Sequence, residues 1–179
     1  VSFDEELELA HAAMAITLTL EEEIDVSRGD VIAHPDNLPT LADEFDANIV
    51  WMTDAPLLAG KDYDFKIGTK TVQGTVRGFK NRVDVNTLEL LPAPGLELNE
   101  IGLTEVSLNT PVCFDNYSTN RATGNFIIID RLSNVTVGAG MVANIDTASQ
   151  LRKHTNSSHV SKDEHQARFG QKPATIMFI

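Results

Sequence analysis

The sequence runs to 179 residues and carries 14 Lys and Arg against 26 Asp and Glu, a formal net charge of −12 and a pI near 4.7. That balance argues against a nucleic-acid binder, which needs a basic footprint to release counterions from phosphates. With 42% hydrophobic and 22% charged residues the composition is that of a folded globular chain, and no apolar run approaches the roughly 20 residues that span a bilayer as a helix.

In chain order, the first patterned segment is Ile16-Thr17-Leu18-Thr19-Leu20, whose alternation predicts a half-buried strand. A tight polar connection over 25–30 leads from it to Val31-Ile32-Ala33, with Gly29 supplying a positive φ. Only 15 residues precede Ile16, so that strand is expected to need partners from elsewhere. At the other end, Ala174-Thr175-Ile176-Met177-Phe178-Ile179 follows Lys172-Pro173 as a mostly apolar run, the pattern of a buried parallel strand. Such a strand requires a crossover to pair, and the chain therefore reads as a fragment of a larger protein.

Between these ends the sequence keeps period two. Strands are predicted over 47–53, 62–67, 71–79, 83–86, 101–108, 125–130 and 135–142, segments rich in Val, Ile, Thr and Phe. Tyr63, Phe65 and Ile67 share one face, with Asp62, Asp64 and Lys66 on the other. Ala59-Gly60-Lys61, Ile67-Gly68-Thr69, Pro92-Ala93-Pro94-Gly95 and Ala122-Thr123-Gly124 supply turns. Six or seven short antiparallel strands over about 100 residues suggest a closed barrel or sandwich, closure removing the exposed edges. The tail over 144–170 is polar and reads as a linker with one or two helical turns at most. Its His154, His159 and His165 are spaced by five and six residues, which puts no two on one helical face and argues against a metal site.

The remaining motifs have structural readings. Cys113, the single cysteine, lies between apolar neighbours and reads as a buried, inert thiol in a reducing compartment. Asn116, Asn134 and Asn156 head Asn-x-Ser/Thr triplets that matter only in a secreted protein, and the acidic first residues give no sign of a signal peptide. Gly138-Ala139-Gly140-Met141-Val142-Ala143 matches a dinucleotide fingerprint, but that motif needs a strand feeding a helix. Close backbone packing in a terminal barrel strand fits better. No P-loop is present. Acidic clusters at Asp4 to Glu6, Glu21 to Glu23 and Asp43 to Asp46 fall at predicted strand ends and read as a solvated rim. From the residues alone, no catalytic constellation, cofactor site or metal site emerges.

Several runs carry a family resemblance. The segment from Ala15 to Ala33, containing Glu23-Ile24-Asp25-Val26-Ser27-Arg28-Gly29-Asp30, resembles the end of the second domain in the GTPase subunit of bacterial sulfate adenylyltransferase (CysN). Asn48-Ile49-Val50-Trp51-Met52, Val83-Asp84-Val85-Asn86-Thr87-Leu88, Ile101-Gly102-Leu103 and the long run from Ile129 to Met141 continue the match. Val160-Ser161-Lys162-Asp163-Glu164 and the run from Arg168 to Ile179 resemble the start of adenylylsulfate kinase, as in the bifunctional CysNC or NodQ type, with Met177 where that family usually has Trp.

That family is similar to elongation factor Tu, a GTPase domain followed by two β-barrels. The resemblance implies an all-β chain: a six-stranded antiparallel Greek-key barrel of the domain III type over 43–143, preceded over 1–40 by the C-terminal part of barrel domain II. It further implies a linker over 144–170 and the first strand of a truncated kinase domain over 171–179. Neither active site would lie in this chain, so it implies no catalytic, cofactor-binding or metal residue here. The parent is expected to use GTP, ATP and Mg to make adenylylsulfate from ATP and sulfate in the cytoplasm. Expected partners are the small catalytic subunit and the protein's own GTPase and kinase domains, without nucleic acid or membrane. The competing readings are a barrel of a translation-factor-type GTPase binding RNA or ribosome, and a free-standing small-molecule binder.

Overall fold

The computed structural model describes residues 9–11, 14–21 and 23–144. The linker expected beyond Asn144, its three histidines, Asn156, the strand expected over 171–179 and the cluster at Asp4 to Glu6 lie outside the described residues. Nine strands follow one another: β1 (Thr40–Trp51), β2 (Leu57–Leu58), β3 (Asp62–Ile67), β4 (Lys70–Val83), β5 (Leu90–Leu91), β6 (Gly95–Leu96), β7 (Ile101–Phe114), β8 (Asn125–Ile129) and β9 (Thr136–Asn144). The six long ones pair in the order β3-β8-β9-β1-β7-β4, and β4 pairs back onto β3, which closes an antiparallel barrel. Its order is of the Greek-key kind: β1 lies between β7 and β9, both remote in sequence.

Alternation explains the core. Ala47, Ile49 and Trp51 of β1, and Tyr63, Phe65 and Ile67 of β3, point inward and are buried, while their sequence neighbours face out. Phe45, Phe65, Phe114 and Phe126 fill the middle, with ring centroids 4.7 Å apart for Phe45 and Phe114 and 5.7 Å for Phe45 and Phe126. Thr104 is the one buried polar residue among those described. Its hydroxyl donates to the Ala47 carbonyl at 3.1 Å, so burial leaves it satisfied.

Irregularities account for where the strands outrun their predicted bounds. In β1 the inward residues are Ala42 and then Phe45, and the register against β7 shifts between Ala42 and Glu44. A bulge there breaks period two and hides the start of the strand from a pattern reading. Strand β7 continues past the predicted 108 through Pro111. No β1 residue is registered opposite 108–111, so a proline without an N–H costs no ladder bond there.

Two expectations are corrected. Residues 16–20 form no strand, and Ile16, Leu18 and Leu20 stand exposed; alternation makes a strand only where it joins a ladder, and none of the described sheet pairings includes 16–20. The connection over 25–30 nevertheless folds as a turn: Asp30 N–H donates to the Ser27 carbonyl at 3.1 Å, Ser27 N–H donates to Asp30 Oδ2 at 2.8 Å, and Gly29 takes φ 107°. The alternation over 83–86 is likewise not a strand of its own. Strand β4 ends at Val83, and Asp84 Oδ1 accepts from the backbone N–H groups of Asn86 and Thr87, a local alternative to the ladder.

Candidate binding pocket at one end of the barrel

Strand β1 runs toward one end of the barrel and finishes at Trp51, whose indole N–H donates to the Ala55 carbonyl at 2.6 Å and pins the following loop over the barrel mouth. Strand β3 starts at the same end with Lys61 ahead of it and Tyr63 inside it. The β8–β9 turn completes the group. Asp130 organises that turn: Oδ1 accepts from the N–H groups of Leu132 at 3.1 Å and Ser133 at 3.0 Å, and Asn134 takes φ 57°. Asp130 Oδ2 receives a hydrogen bond from Lys61 Nζ at 3.1 Å.

Together Trp51, Thr53, Ala55, Lys61, Tyr63, Asp130, Ser133, Val135 and Val137 enclose a cavity of about 310 Å³. The Trp51 and Tyr63 rings meet edge to face at 5.6 Å, and the Lys61 ammonium stands 4.9 Å from the centre of the Tyr63 ring. Tyr63 Oη is buried with no acceptor for its O–H among the described residues, the Lys61 ammonium beside it being able only to donate. Burial raises the Tyr63 pKa against the opposing pull of Lys61, keeping a neutral phenol whose O–H can donate. Backbone N–H from Ser133, followed by Lys61, lowers Asp130 to about 2, so it is an anion at neutral pH, and the hydrogen bond to Asp130 raises Lys61.

A second hollow of about 500 Å³ lies at the same end, between Pro56, Leu58, the Pro92 to Pro94 loop and the Arg82–Glu100 ion pair. In the first hollow Ser133 Oγ donates to Asp130 Oδ1 at 3.1 Å, but the bonds from the Ser133 N–H and Lys61 that hold Asp130 near 2 leave it a weak base, so the pair reads as turn chemistry and not as an activated hydroxyl. Among the described residues no three His, Cys, Asp or Glu side chains converge on a possible metal position, and no helix is long and apolar enough to cross a membrane.

The motifs singled out in the sequence are placed as follows. Cys113 is half-buried on β7, and burial pushes its thiol up to about 11, away from nucleophilic use at neutral pH. Gly138 and Gly140 lie in β9, opposite Trp51 and Phe126, where a Cβ would strike the Trp51 ring edge and the Phe126 ring face. Close packing is therefore their role. Asn116 Nδ2 donates to the Ala143 carbonyl at 2.7 Å. The cluster over 43–46 is corrected: it lies inside β1 and not at a strand end, and its outward members pair across the sheet, Glu44 with Arg77 at 2.8 Å and Asp46 with Lys80 at 2.7 Å. Glu21 and Glu23 are exposed and adjoin no strand. The pocket around Tyr63 was not legible in the sequence, because its walls come from four segments that only barrel closure joins.

A sequence model of the family "GTP-eEF1A C-terminal domain-like" matches residues 44–143. Sulfate adenylyltransferase subunit 1 of Shewanella woodyi is 50% identical, over 88% of this chain and 34% of its own length. The bifunctional enzyme CysN/CysC of Rhodopirellula baltica is 43% identical, over 99% of this chain and 29% of its own length. This chain thus spans about a third of the relatives it matches. Among solved structures, sup35 complexed with GDP superposes with a TM-score of 0.56 at 21% identity, over 62% of this chain and 27% of that one, a likeness of fold alone.

Proposed function

The chain belongs to the GTP-eEF1A C-terminal domain-like family, and from its kinship with sulfate adenylyltransferase subunit 1 we propose that it is the non-catalytic barrel region of such a subunit. The whole enzyme makes adenylylsulfate from ATP and sulfate at the expense of GTP, with Mg, in the cytoplasm. In this reading the barrel braces the GTPase domain and docks the small adenylyltransferase subunit. The observation that carries it is the high identity along most of the chain, joined to the family match over 44–143, the span of the closed barrel.

The parent, we further propose, is the bifunctional form with adenylylsulfate kinase. The CysN/CysC relative aligns over 99% of this chain, against 88% for the Shewanella subunit, and the run from Arg168 to Ile179 has the pattern of the kinase's first strand. Residues 1–40 are then the close of barrel domain II, 43–143 barrel domain III and 144–170 the linker. The alternative, a translation-factor-type barrel on RNA or ribosome, is disfavoured by the net charge of −12.

Competition tests the docking role. Added in excess to a reconstituted two-subunit sulfate adenylyltransferase, the chain is expected to sequester the small subunit and suppress adenylylsulfate formation in proportion to its concentration. Unchanged turnover at saturating chain would contradict the proposal.

A further inference from the structure

We infer that the turn over 27–30 is a latch that locks the close of the second barrel onto the third, with Gly29 seated on the aliphatic stem of Lys70. This deepens the bracing half of the reading above, on which it rests, by naming the contact that joins the two barrels. Lys70 opens β4, and Cys113, near the close of β7, is registered opposite Leu41 at the start of β1. The seat therefore lies at the end of the barrel opposite Trp51.

The stem of Lys70 is a fixed platform. Its ammonium donates to the Pro111 carbonyl at 3.1 Å, at a residue for which no strand partner is registered on β1 or β4. With the head tied down, the methylenes lie along the barrel surface. A Cβ at Gly29 would stand 3.3 Å from Lys70 Cγ, 3.4 Å from Cβ and 3.5 Å from Cδ. The stem cannot swing away from it without losing the Pro111 bond. Gly29 also takes φ 107°, a conformation costly to any residue with a side chain. Space and backbone thus both demand glycine at the seat.

Two further observations place the turn on the barrel. Burial is the first cause that raises the Cys113 thiol, and the charges of Lys70, Asp115 and Asp30 act on it next. Residues 30, 70 and 113, remote in sequence, therefore share one corner of the rim. The covering also continues past the turn: Gly29, Val31 and Ala33 are half-buried, while Asp30, Ile32 and His34 are exposed. Residues 29–33 join no described sheet ladder, so this is the pattern of an extended segment with one face laid on a surface. The turn itself is held in shape by the Ser27 N–H on Asp30 Oδ2, which presents Gly29 to Lys70 as a preformed knuckle.

Pulsed electron paramagnetic resonance on the complete 179-residue chain tests the latch. Spin labels are carried by Arg28→Cys on the turn and Asp62→Cys at the start of β3, both exposed positions, in a Cys113→Ser background. One narrow distance is expected. Gly29→Val is expected to lower the ratio of latched to released chains about tenfold, the scale of one residue forced into a left-handed conformation, and Lys70→Ala to lower it several-fold. Lys70→Arg, which keeps a stem and a donor, is expected to retain the narrow distance. A broad distribution before any change at 29 or 70, or a narrow one that neither Gly29→Val nor Lys70→Ala widens, would overturn the latch. Widening by one of the two alone would also overturn it, because the latch needs both the glycine and the stem. None of these results bears on capture of the small subunit, so the competition experiment judges the proposed function separately.

Discussion

At position 140 the absence of a side chain lets the aromatic core assemble. Phe126 sits opposite Gly140 in the β8–β9 register, its ring laid against the bare backbone, and from there it reaches both Phe45 and Phe65 at 5.7 Å. A methyl at 140 would overlap the ring and force Phe126 off its rotamer. Gly140→Ala is therefore expected to cost about 1–3 kcal/mol, read as a lower urea midpoint at unchanged slope; an unchanged midpoint would contradict the packing account. The glycines were legible as close-packing residues, but their partner was not, since nothing in a single sequence pairs 140 with 126.

Asp130 gives the residue scale its pH dependence. Its folded pKa, about 2, lies below the ordinary carboxylate value because Ser133 N–H and Lys61 favour the anion. A depressed folded pKa contributes stability that is present above the unfolded pKa of about 4 and is lost as pH falls toward 2. Asp130→Asn should therefore melt below the unmodified chain at pH 7, with the gap closing between about pH 4 and 2. A gap that stays constant over that window would show that the charge contributes nothing.

At the scale of elements, alternation located every long strand of the barrel because each buries one face and wets the other. It failed where the ladder departs from regularity. The bulge near Asp43 concealed residues 40–46, more than half of the 12-residue β1, and Pro111 cut β7 short on paper although the chain passes it at a bulged stretch. It also overcalled: 16–20 carries the pattern but joins no sheet ladder among the described residues. Amide exchange separates the two kinds of segment. Amides over 16–20 are expected to exchange within seconds at neutral pH, while those of Ile49 and Val106, registered in ladders on a buried face, are expected to be protected to near the global unfolding limit. Slow exchange over 16–20 would mean that the segment has found a ladder.

At the scale of the whole molecule, closure is what converts separate hairpins into a site. Trp51, Lys61 and Tyr63, and Asp130 to Val137 become neighbours only because β3 pairs with β8, β8 with β9 and β9 with β1. The barrel itself was readable from period and turns, and the family from its specific runs, foremost Ile129 to Met141. The pocket and its phenol O–H without an acceptor were not, because a hydroxyl's partners depend on three-dimensional register that no local pattern encodes. The same closure brings no three His, Cys, Asp or Glu side chains among the described residues onto one possible metal position.

Isothermal titration of the 179-residue chain into the purified small adenylyltransferase subunit tests the proposed docking role most directly. Saturable one-to-one binding is expected, with a negative heat-capacity change, the mark of apolar surface leaving water. Absence of binding heat from the chain, together with normal binding by a longer subunit 1 polypeptide from which the barrel has been deleted, would contradict it.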